Sequence, residues 1–300
     1  MKIFLTGTTG LIGRAVLNEL QRSGHQVTGL VRDASSAAPL AAPGVDLVEG
    51  SLESLPGMGD LLSRHDAFVH TAMAGGGRTS ELDRLTIDVV LEHAPAGSFF
   101  LYTSGVWIFG NTGDAAVRED SPTRPLPISA WRAPHEARVL EAGEGVKTAV
   151  IRPGCVYGGA QSLLEDWFAR SEKGSPLRVV GDGRNHWAMI HVRDLARCYV
   201  KALELRATGI LHATDDTRDA MRTMAEAVAR TGSHHSAVEL VPLDAARRDL
   251  GEAFADALAV DQHVSSAATR ERLGWHPESK TFLSSLDSQW EEWRASRSRP

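Results

Sequence analysis

The 300-residue sequence has few cysteines, no excess of positive charge and no long apolar run. Its two cysteines, Cys155 and Cys198, are too few for a disulfide framework, and their separation does not match the spacing of zinc ligands. The formal net charge of -6 provides no positive field for nucleic acids or anionic membranes. No stretch approaches the roughly 18 apolar residues of a membrane span, and the apolar run after Lys2 is too short for a signal peptide. These absences predict a cytoplasmic protein that binds neither nucleic acid nor membrane.

The first half of the chain alternates short apolar runs with amphipathic stretches, the pattern of alternating strands and helices. Predicted strands cover residues 2–6, 26–31, 46–49, 67–70, 99–102 and 147–152, and predicted helices cover 12–22, 82–93 and 134–142. Strands and helices in series predict an α/β fold, a Rossmann-type doubly wound parallel sheet with helices on both faces.

The second half of the chain is dominated by helical patterns, at residues 162–172, 194–205, 219–230 and 284–294. We therefore expect residues 1–157 to form mainly a dinucleotide-binding Rossmann domain, which the chain rejoins near 186–205. Residues 158–300 would form mainly a smaller, largely helical substrate-binding region. The two parts are expected to pack closely, with a cleft between them.

A glycine-rich turn, Thr6-Gly7-Thr8-Thr9-Gly10-Leu11-Ile12-Gly13, follows the first predicted strand and opens the first predicted helix. Gly7 suits a tight turn, Gly10 lets the backbone approach a pyrophosphate, and Gly13 allows close packing of helix on strand. The helix N-terminus adds amide groups and a positive dipole. Because a strand precedes the turn and a helix follows it, the turn indicates a dinucleotide site; an empty tight turn is the alternative.

The residues at the end of the second predicted strand indicate whether NAD or NADP binds. An acidic residue there would accept hydrogen bonds from the ribose hydroxyls of NAD, whereas an arginine nearby favours the 2′-phosphate of NADP. Val31 occupies the expected acid position, and Arg32 follows it. The sequence thus favours NADP, while Asp33 keeps NAD open.

Five motifs occur in an order that resembles the extended short-chain dehydrogenase/reductase superfamily, which contains the NAD-dependent epimerase/dehydratases. They are the glycine turn, His70-Thr71-Ala72, and the runs Tyr102 to Gly110, Arg152 to Gly158 and His191 to Ala196. The resemblance implies these cofactor contacts: Gly7, Thr9, Gly10, Leu11, Ile12 and Gly13 at the pyrophosphate, Arg32 at the adenosine phosphate, Ser51 and Leu52 at adenine, Thr71 and Ala72 at the nicotinamide ribose, and Arg152, Pro153, Gly154 and Cys155 at the nicotinamide. It is also compatible with a helix-paired homodimer.

The catalytic residues usual in this superfamily do not occur at the corresponding places. Its members usually combine a serine or threonine with a Tyr-x-x-x-Lys segment. Here none of the three tyrosines is followed by lysine four places later, and the corresponding segment runs from Ile128 to Glu136. The serine position falls on Gly105. The chain is therefore predicted to be an atypical member.

Four side chains are candidates for the missing proton-transfer and orienting roles. His135 could exchange protons near neutral pH, and Arg132 could stabilise a developing oxyanion. Ser104 can donate a hydrogen bond, and Tyr157 could face the substrate. The alternatives are a solvated histidine, a surface arginine, a small residue that makes room for the cofactor, and aromatic packing. The sequence offers no metal site, since the adjacent pair His234-His235 lacks ligand spacing.

These patterns lead to one hypothesis and two alternatives. The hypothesis is an atypical NADP-dependent oxidoreductase that acts on a small carbonyl, conjugated or imine-like substrate, because the dinucleotide turn is intact where the triad is missing. One alternative is a non-catalytic, redox-sensing NADP-binding protein. The other is a non-redox isomerase, dehydratase or cyclase on the same fold.

Overall fold

The computed structural model describes residues 1–75, 77–143, 145–159, 161–232 and 234–297. Its strands are β1 (Lys2–Thr6), β2 (Gln26–Val31), β3 (Val45–Glu49), β4 (Ala67–His70), β5 (Phe99–Thr103), β6 (Lys147–Pro153), β7 (Cys155–Tyr157), β8 (Leu177–Val180), β9 (Met189–His191), β10 (Gly209–Ala213) and β11 (Val238–Val241). Its α-helices are α1 (Leu11–Arg22), α2 (Ala34–Ala37), α3 (Gly59–Leu62), α4 (Thr79–His93), α5 (Arg132–Leu140), α6 (Glu165–Glu172), α7 (Val192–Leu205), α8 (Met221–Thr231), α9 (Leu243–Leu250), α10 (Glu252–Leu258), α11 (Ala267–Leu273) and α12 (Leu286–Arg297).

The central sheet is parallel throughout and has the strand order β3-β2-β1-β4-β5-β6-β10. The direction of strand addition reverses between β1 and β4, as in a doubly wound fold. The predicted Rossmann-type fold is confirmed. In such sheets a ligand binds outside the carboxyl ends of the strands at the reversal, which is where the glycine turn after β1 lies.

Helices cover both faces of the sheet, which explains why its strands are nearly continuous apolar runs. Successive side chains of a strand point to opposite faces. On one face, Ile3 of β1 is part of a buried cluster with Leu17 of α1 and Tyr199 of α7. On the other face, Phe4 of β1 belongs to a cluster with Val90 of α4. Both α4 and α5 contribute buried residues to this second cluster and therefore lie on the second face.

The second half of the chain builds a separate apolar cluster but also returns to the sheet. Trp167 and Phe168 of α6 pack with Trp290 and Trp293 of α12 in that cluster. Strands β8 and β11 pair with each other, as do β7 and β9. Strand β10 instead pairs with β6 as the seventh strand of the main sheet. Within the described residues, no helix is long and apolar enough to cross a membrane.

The periodicity of the second half does not predict β10. This strand is five residues long, begins with Gly209 and contains His212, so it lacks the apolar run of the other central strands. Its place is decided by pairing with β6, which lies more than 50 residues earlier in the chain. The helical periodicity of the same region is more regular. The helix that it predicts over residues 194–205 corresponds to α7.

Candidate functional site

The glycine turn packs tightly against the end of β4. Gly7 has a φ of 78°, in the left-handed region that favours glycine. A Cβ on Gly7 would lie 2.6 Å from the backbone nitrogen of Ala72, and a Cβ on Gly13 would lie 2.0 Å from the Gly7 carbonyl oxygen. The Thr71 hydroxyl donates to the Thr6 carbonyl oxygen over 2.8 Å. Only glycine fits at positions 7 and 13, and the turn lies beside Thr71 and Ala72.

The amino terminus of α1 fits an anionic group. Gly10 is its N-cap, and no side chain caps this 12-residue helix. A Cβ on Gly10 would meet only the Gly7 carbonyl oxygen, at 3.4 Å, so the space in front of the helix is open. Amide groups and the helix dipole favour negative charge there. Thr9 is exposed and both Leu11 and Ile12 are half-buried, so these residues can line a ligand.

Arg32 and Asp33 follow β2, but only Asp33 is bound to the rest of the protein. Its carboxylate accepts hydrogen bonds from the Ser35 hydroxyl at 2.7 Å and the Ser35 amide at 2.8 Å, and thereby caps α2. Hydrogen bonds from Ser35 and Ser36 lower the pKa of Asp33. Arg32 is exposed and has no hydrogen-bond or ion-pair partner among the residues that the structure describes. The arginine is therefore available to a ligand, whereas Oδ1 of the aspartate is occupied by the cap of α2.

The remaining predicted cofactor contacts lie at the carboxyl ends of β3 and β6. Ser51 is half-buried and its amide donates to the Ser54 hydroxyl oxygen at 2.9 Å, while Leu52 is buried in the core. A Cβ on Gly154 would lie 2.6 Å from the Ala188 carbonyl oxygen, so this glycine allows a close backbone approach. Its neighbours Pro153 and Cys155 are buried.

A buried carboxylate on α4 gathers side chains from three other elements. Asp83 accepts hydrogen bonds from His70 Nε2 at 3.1 Å, His135 Nδ1 at 2.7 Å and the Tyr102 hydroxyl at 2.7 Å. Burial opposes ionisation of Asp83, but the hydrogen bonds from His135 and His70 outweigh burial and hold the pKa of Asp83 well below its ordinary value. His70 Nδ1 also contacts the Thr6 hydroxyl at 2.6 Å. We call Thr6, His70, Asp83, Tyr102 and His135 the Asp83 network.

Helix α5 makes a second buried contact one residue after His135. Arg152 of β6 donates through Nε and Nη2 to the two carboxylate oxygens of Glu136, at 3.0 Å and 2.6 Å. Both side chains are at most 5% exposed. The Arg152 guanidinium also lies 5.0 Å from the centre of the Phe109 ring. Arg152 is thus directed into the protein interior, and its contact with nicotinamide stays a prediction.

Arg132 lies at the start of α5, at the edge of the sheet where the strands end. Its Nη1 donates to the carbonyl oxygen of Thr103, the last residue of β5, at 2.9 Å. Arg132 is half-buried, and its guanidinium carbon lies over the Trp131 ring, 4.3 Å from the ring centre. His135 and Glu136 follow it by three and four residues and so share one helix face with it. Two buried polar contacts therefore fix the helix turn that carries Arg132.

The other predicted catalytic residues lie in different surroundings. The Ser104 hydroxyl is buried and has no partner in the described part of the chain. Next to it, a Cβ on Gly105 would meet nothing within 4 Å, so position 105 faces open space. The Tyr157 hydroxyl donates to Asp215 at 3.0 Å and to the Lys280 carbonyl oxygen at 3.2 Å, within the apolar cluster of the second half. Arg132 and His135 lie one turn apart on α5, whereas the Tyr157 hydroxyl makes its hydrogen bonds with residues of the second half of the chain.

Sequence patterns did not single out Asp83 or Glu136 as site residues. One available signal was that Asp83 falls on the apolar stripe of its helix, with Thr86, Ile87 and Val90 at the following buried positions. A carboxylate on a buried stripe requires partners. The sequence does not say which partners, because they come from β4, β5 and α5.

The comparison with known families agrees with this geometry. Residues 3–214 match the model of the NAD dependent epimerase/dehydratase family. The chain belongs to this family. The resemblance to extended short-chain dehydrogenase/reductases that the motif order indicated is therefore confirmed.

Individual proteins with known names are similar over almost the whole chain. The 3-diazoavenalumate denitrifying reductase of a Streptomyces species is 27% identical over 307 residues, which cover 92% of this chain and 96% of that protein. In fold, the chain is similar to UDP-glucose 4-epimerase of Thermus thermophilus in complex with NAD (TM-score 0.81, 20% identity, 99% of this chain and 100% of the other). A human epimerase family protein with NADPH has a TM-score of 0.77 and 21% identity, and the match covers 97% of this chain and 99% of the other.

Proposed function

We propose that the protein is an NADP-dependent oxidoreductase that reduces a small carbonyl, conjugated or imine-like substrate. The observation that carries the choice of NADP is the contrast between two neighbours after β2. Arg32 is exposed and unpaired among the described residues, whereas the Asp33 carboxylate caps α2. A free guanidinium favours the 2′-phosphate, whereas Oδ1 of the Asp33 carboxylate already accepts three hydrogen bonds and only Oδ2 is left for a ribose hydroxyl.

The chain's own residues would bind and orient the reactants. When bound, the cofactor supplies a hydride. The glycine turn and the N-terminus of α1 would hold the pyrophosphate, and Arg32 would hold the 2′-phosphate. Arg132, fixed at the carboxyl end of β5, would orient the substrate oxygen and stabilise its developing negative charge. Asp83 binds His135 at Nδ1 and leaves Nε2 as the atom that could hold a proton.

The relatives support a reductase that uses a nicotinamide dinucleotide. The Streptomyces relative is named a reductase. The human protein of the same fold was solved with NADPH and the Thermus protein with NAD, so the fold accepts both dinucleotides. We assign the preference for NADP to Arg32 in this chain.

Calorimetric titration of the protein with NADPH and with NADH tests the proposal. We expect NADPH to bind more tightly. Arg32→Ala should weaken NADPH binding by about 1.5–3 kcal/mol, the contribution of a hydrogen bond to a charged group, and change NADH binding little. Arg64→Ala, which removes an exposed arginine at the other end of the sheet, is the matched control. If Arg32→Ala loses the same binding free energy for NADPH and for NADH, the proposed contact between Arg32 and the 2′-phosphate is wrong.

Product analysis separates reduction from the non-redox alternative. A reductase consumes one NADPH for each product molecule, whereas an isomerase, dehydratase or cyclase forms product without net cofactor oxidation. Binding of NADPH without turnover across a panel of carbonyl, conjugated and imine substrates would favour the non-catalytic alternative.

A further inference from the structure

A hydrogen-bonded path leads from the glycine turn across the sheet to α4. Thr6 of β1 is paired directly with His70 of β4, and His70 with Tyr102 of β5. Paired residues of neighbouring strands point to the same face of a sheet. Thr6 immediately precedes Gly7 of the turn. His70 contacts Thr6 through Nδ1 and Asp83 through Nε2, and both contacts are buried.

The path continues from Asp83 to the helix face that carries Arg132. Asp83 accepts a hydrogen bond from His135, which lies one turn after Arg132 on α5. Arg132 in turn donates to the Thr103 carbonyl oxygen at the end of β5. Because the groups of the Asp83 network are buried and bonded to one another, moving one of them would leave another without a partner.

We propose that Asp83 is a positioning residue that links the glycine turn to the first turn of α5, so that cofactor binding at the turn orders the helix end that presents Arg132. This inference rests on the proposed function, since it requires a dinucleotide at the glycine turn. Asp83 touches neither reactant; it acts through His70 on one side and through His135 on the other.

A second ion pair between the same helices provides a matched contrast. Asp88 of α4 binds Arg138 of α5 at 3.0 Å, but these side chains are 42% and 35% exposed. Water can replace either partner, so this pair is expected to hold α5 only weakly. It lies further along both helices and has no contact with Thr6 or His70.

Hydrogen exchange of backbone amides, measured with and without NADPH, tests the link. In the wild type and in Asp88→Asn, NADPH is expected to protect the amides of the glycine turn and those of residues 135–138, which donate to the carbonyl groups of the first turn of α5 and so report its order. In Asp83→Asn the turn should still be protected while the protection of α5 is lost. The NADPH dissociation constant should also rise at least about fivefold, the lower end of coupling between linked sites.

His70→Phe provides a second variant in case Asp83→Asn does not fold. It keeps a ring beside Tyr102, which lies 6.0 Å from the His70 ring, and leaves Asp83 bonded to His135 and Tyr102. It removes the link to Thr6, so the same loss of α5 protection is expected.

The outcomes separate this inference from the proposed function. Equal protection of α5 in Asp83→Asn, His70→Phe and the wild type would overturn the positioning role. Protection of the wild-type turn without any protection of α5 would do the same. If neither NADPH nor NADH protects the glycine turn of the wild type, the proposed function fails, and this inference fails with it.

Discussion

At the residue scale, burial decides how much an ion pair contributes. Glu136 and Arg152 are bonded through two hydrogen bonds and are almost fully buried. The substitution Glu136→Gln leaves the guanidinium without a compensating charge, so the free energy of unfolding should fall by about 3–5 kcal/mol. Urea denaturation monitored by circular dichroism measures this loss.

The exposed pair between Asp88 and Arg138 is the control for that measurement. Both side chains reach solvent, so Asp88→Asn should change the free energy of unfolding by no more than about 1 kcal/mol. If Glu136→Gln and Asp88→Asn lower the free energy of unfolding by similar amounts, burial does not determine how much each ion pair contributes.

At the element scale, the glycines of the turn between β1 and α1 differ in how much space a side chain would have. A Cβ at position 10 would be in ordinary contact with the Gly7 carbonyl oxygen, whereas one at position 13 would lie 2.0 Å from it. Gly10→Ala should therefore stay within about 1 kcal/mol of the wild type in stability. Its methyl group should nevertheless weaken NADPH binding at least about tenfold, because it occupies the approach to the helix N-terminus.

Gly13→Ala should instead reduce both stability and binding, since α1 must move away from the turn to fit the methyl group. Thermal unfolding and NADPH titration of the two variants measure the difference. Gly57→Ala, where a Cβ would meet nothing within 4 Å, is the control for a harmless substitution. A stable Gly13→Ala that binds NADPH normally would contradict this description of the turn.

At the scale of the whole molecule, buried histidines predict how stability depends on pH. Burial lowers the pKa of His65, His191 and His212. In the unfolded chain they regain a pKa near 6.5, so below that pH the unfolded state binds protons that the folded state does not. The free energy of unfolding should therefore fall between pH 7.5 and 5.5, by at most about 1.4 kcal/mol per pH unit for each histidine.

Urea denaturation at pH 7.5, 6.5 and 5.5 measures this slope. His65→Gln should flatten it, because one of the buried histidines is removed. The lowered pKa of Asp83 adds stability at every pH above about 4, and that contribution is lost only in stronger acid, so it does not alter the slope in this range.

Local pattern was enough to predict much of the Rossmann part of the molecule. Strands β1, β2 and β4 begin and end at the predicted residues, because each is a short, largely apolar run whose residues are mostly buried. The glycine spacing predicted the turn and the helix N-terminus that follows it, whose amide groups can bind a ligand. Arg32 and its neighbour Asp33 were identified as the residues that bear on the cofactor, but the capping role of Asp33 became visible only in the structure.

The sequence by itself determined the fold class, the family and the glycine turn, because periodicity, motif order and glycine spacing are properties of neighbouring residues. Only the tertiary structure decided which buried polar groups meet. Asp83 joins partners 13, 19 and 52 residues away, and Thr6 meets His70 across 64 residues. Such contacts depend on strand order and on the packing of α4 against α5. No local pattern encodes them, since each partner alone is compatible with many neighbours.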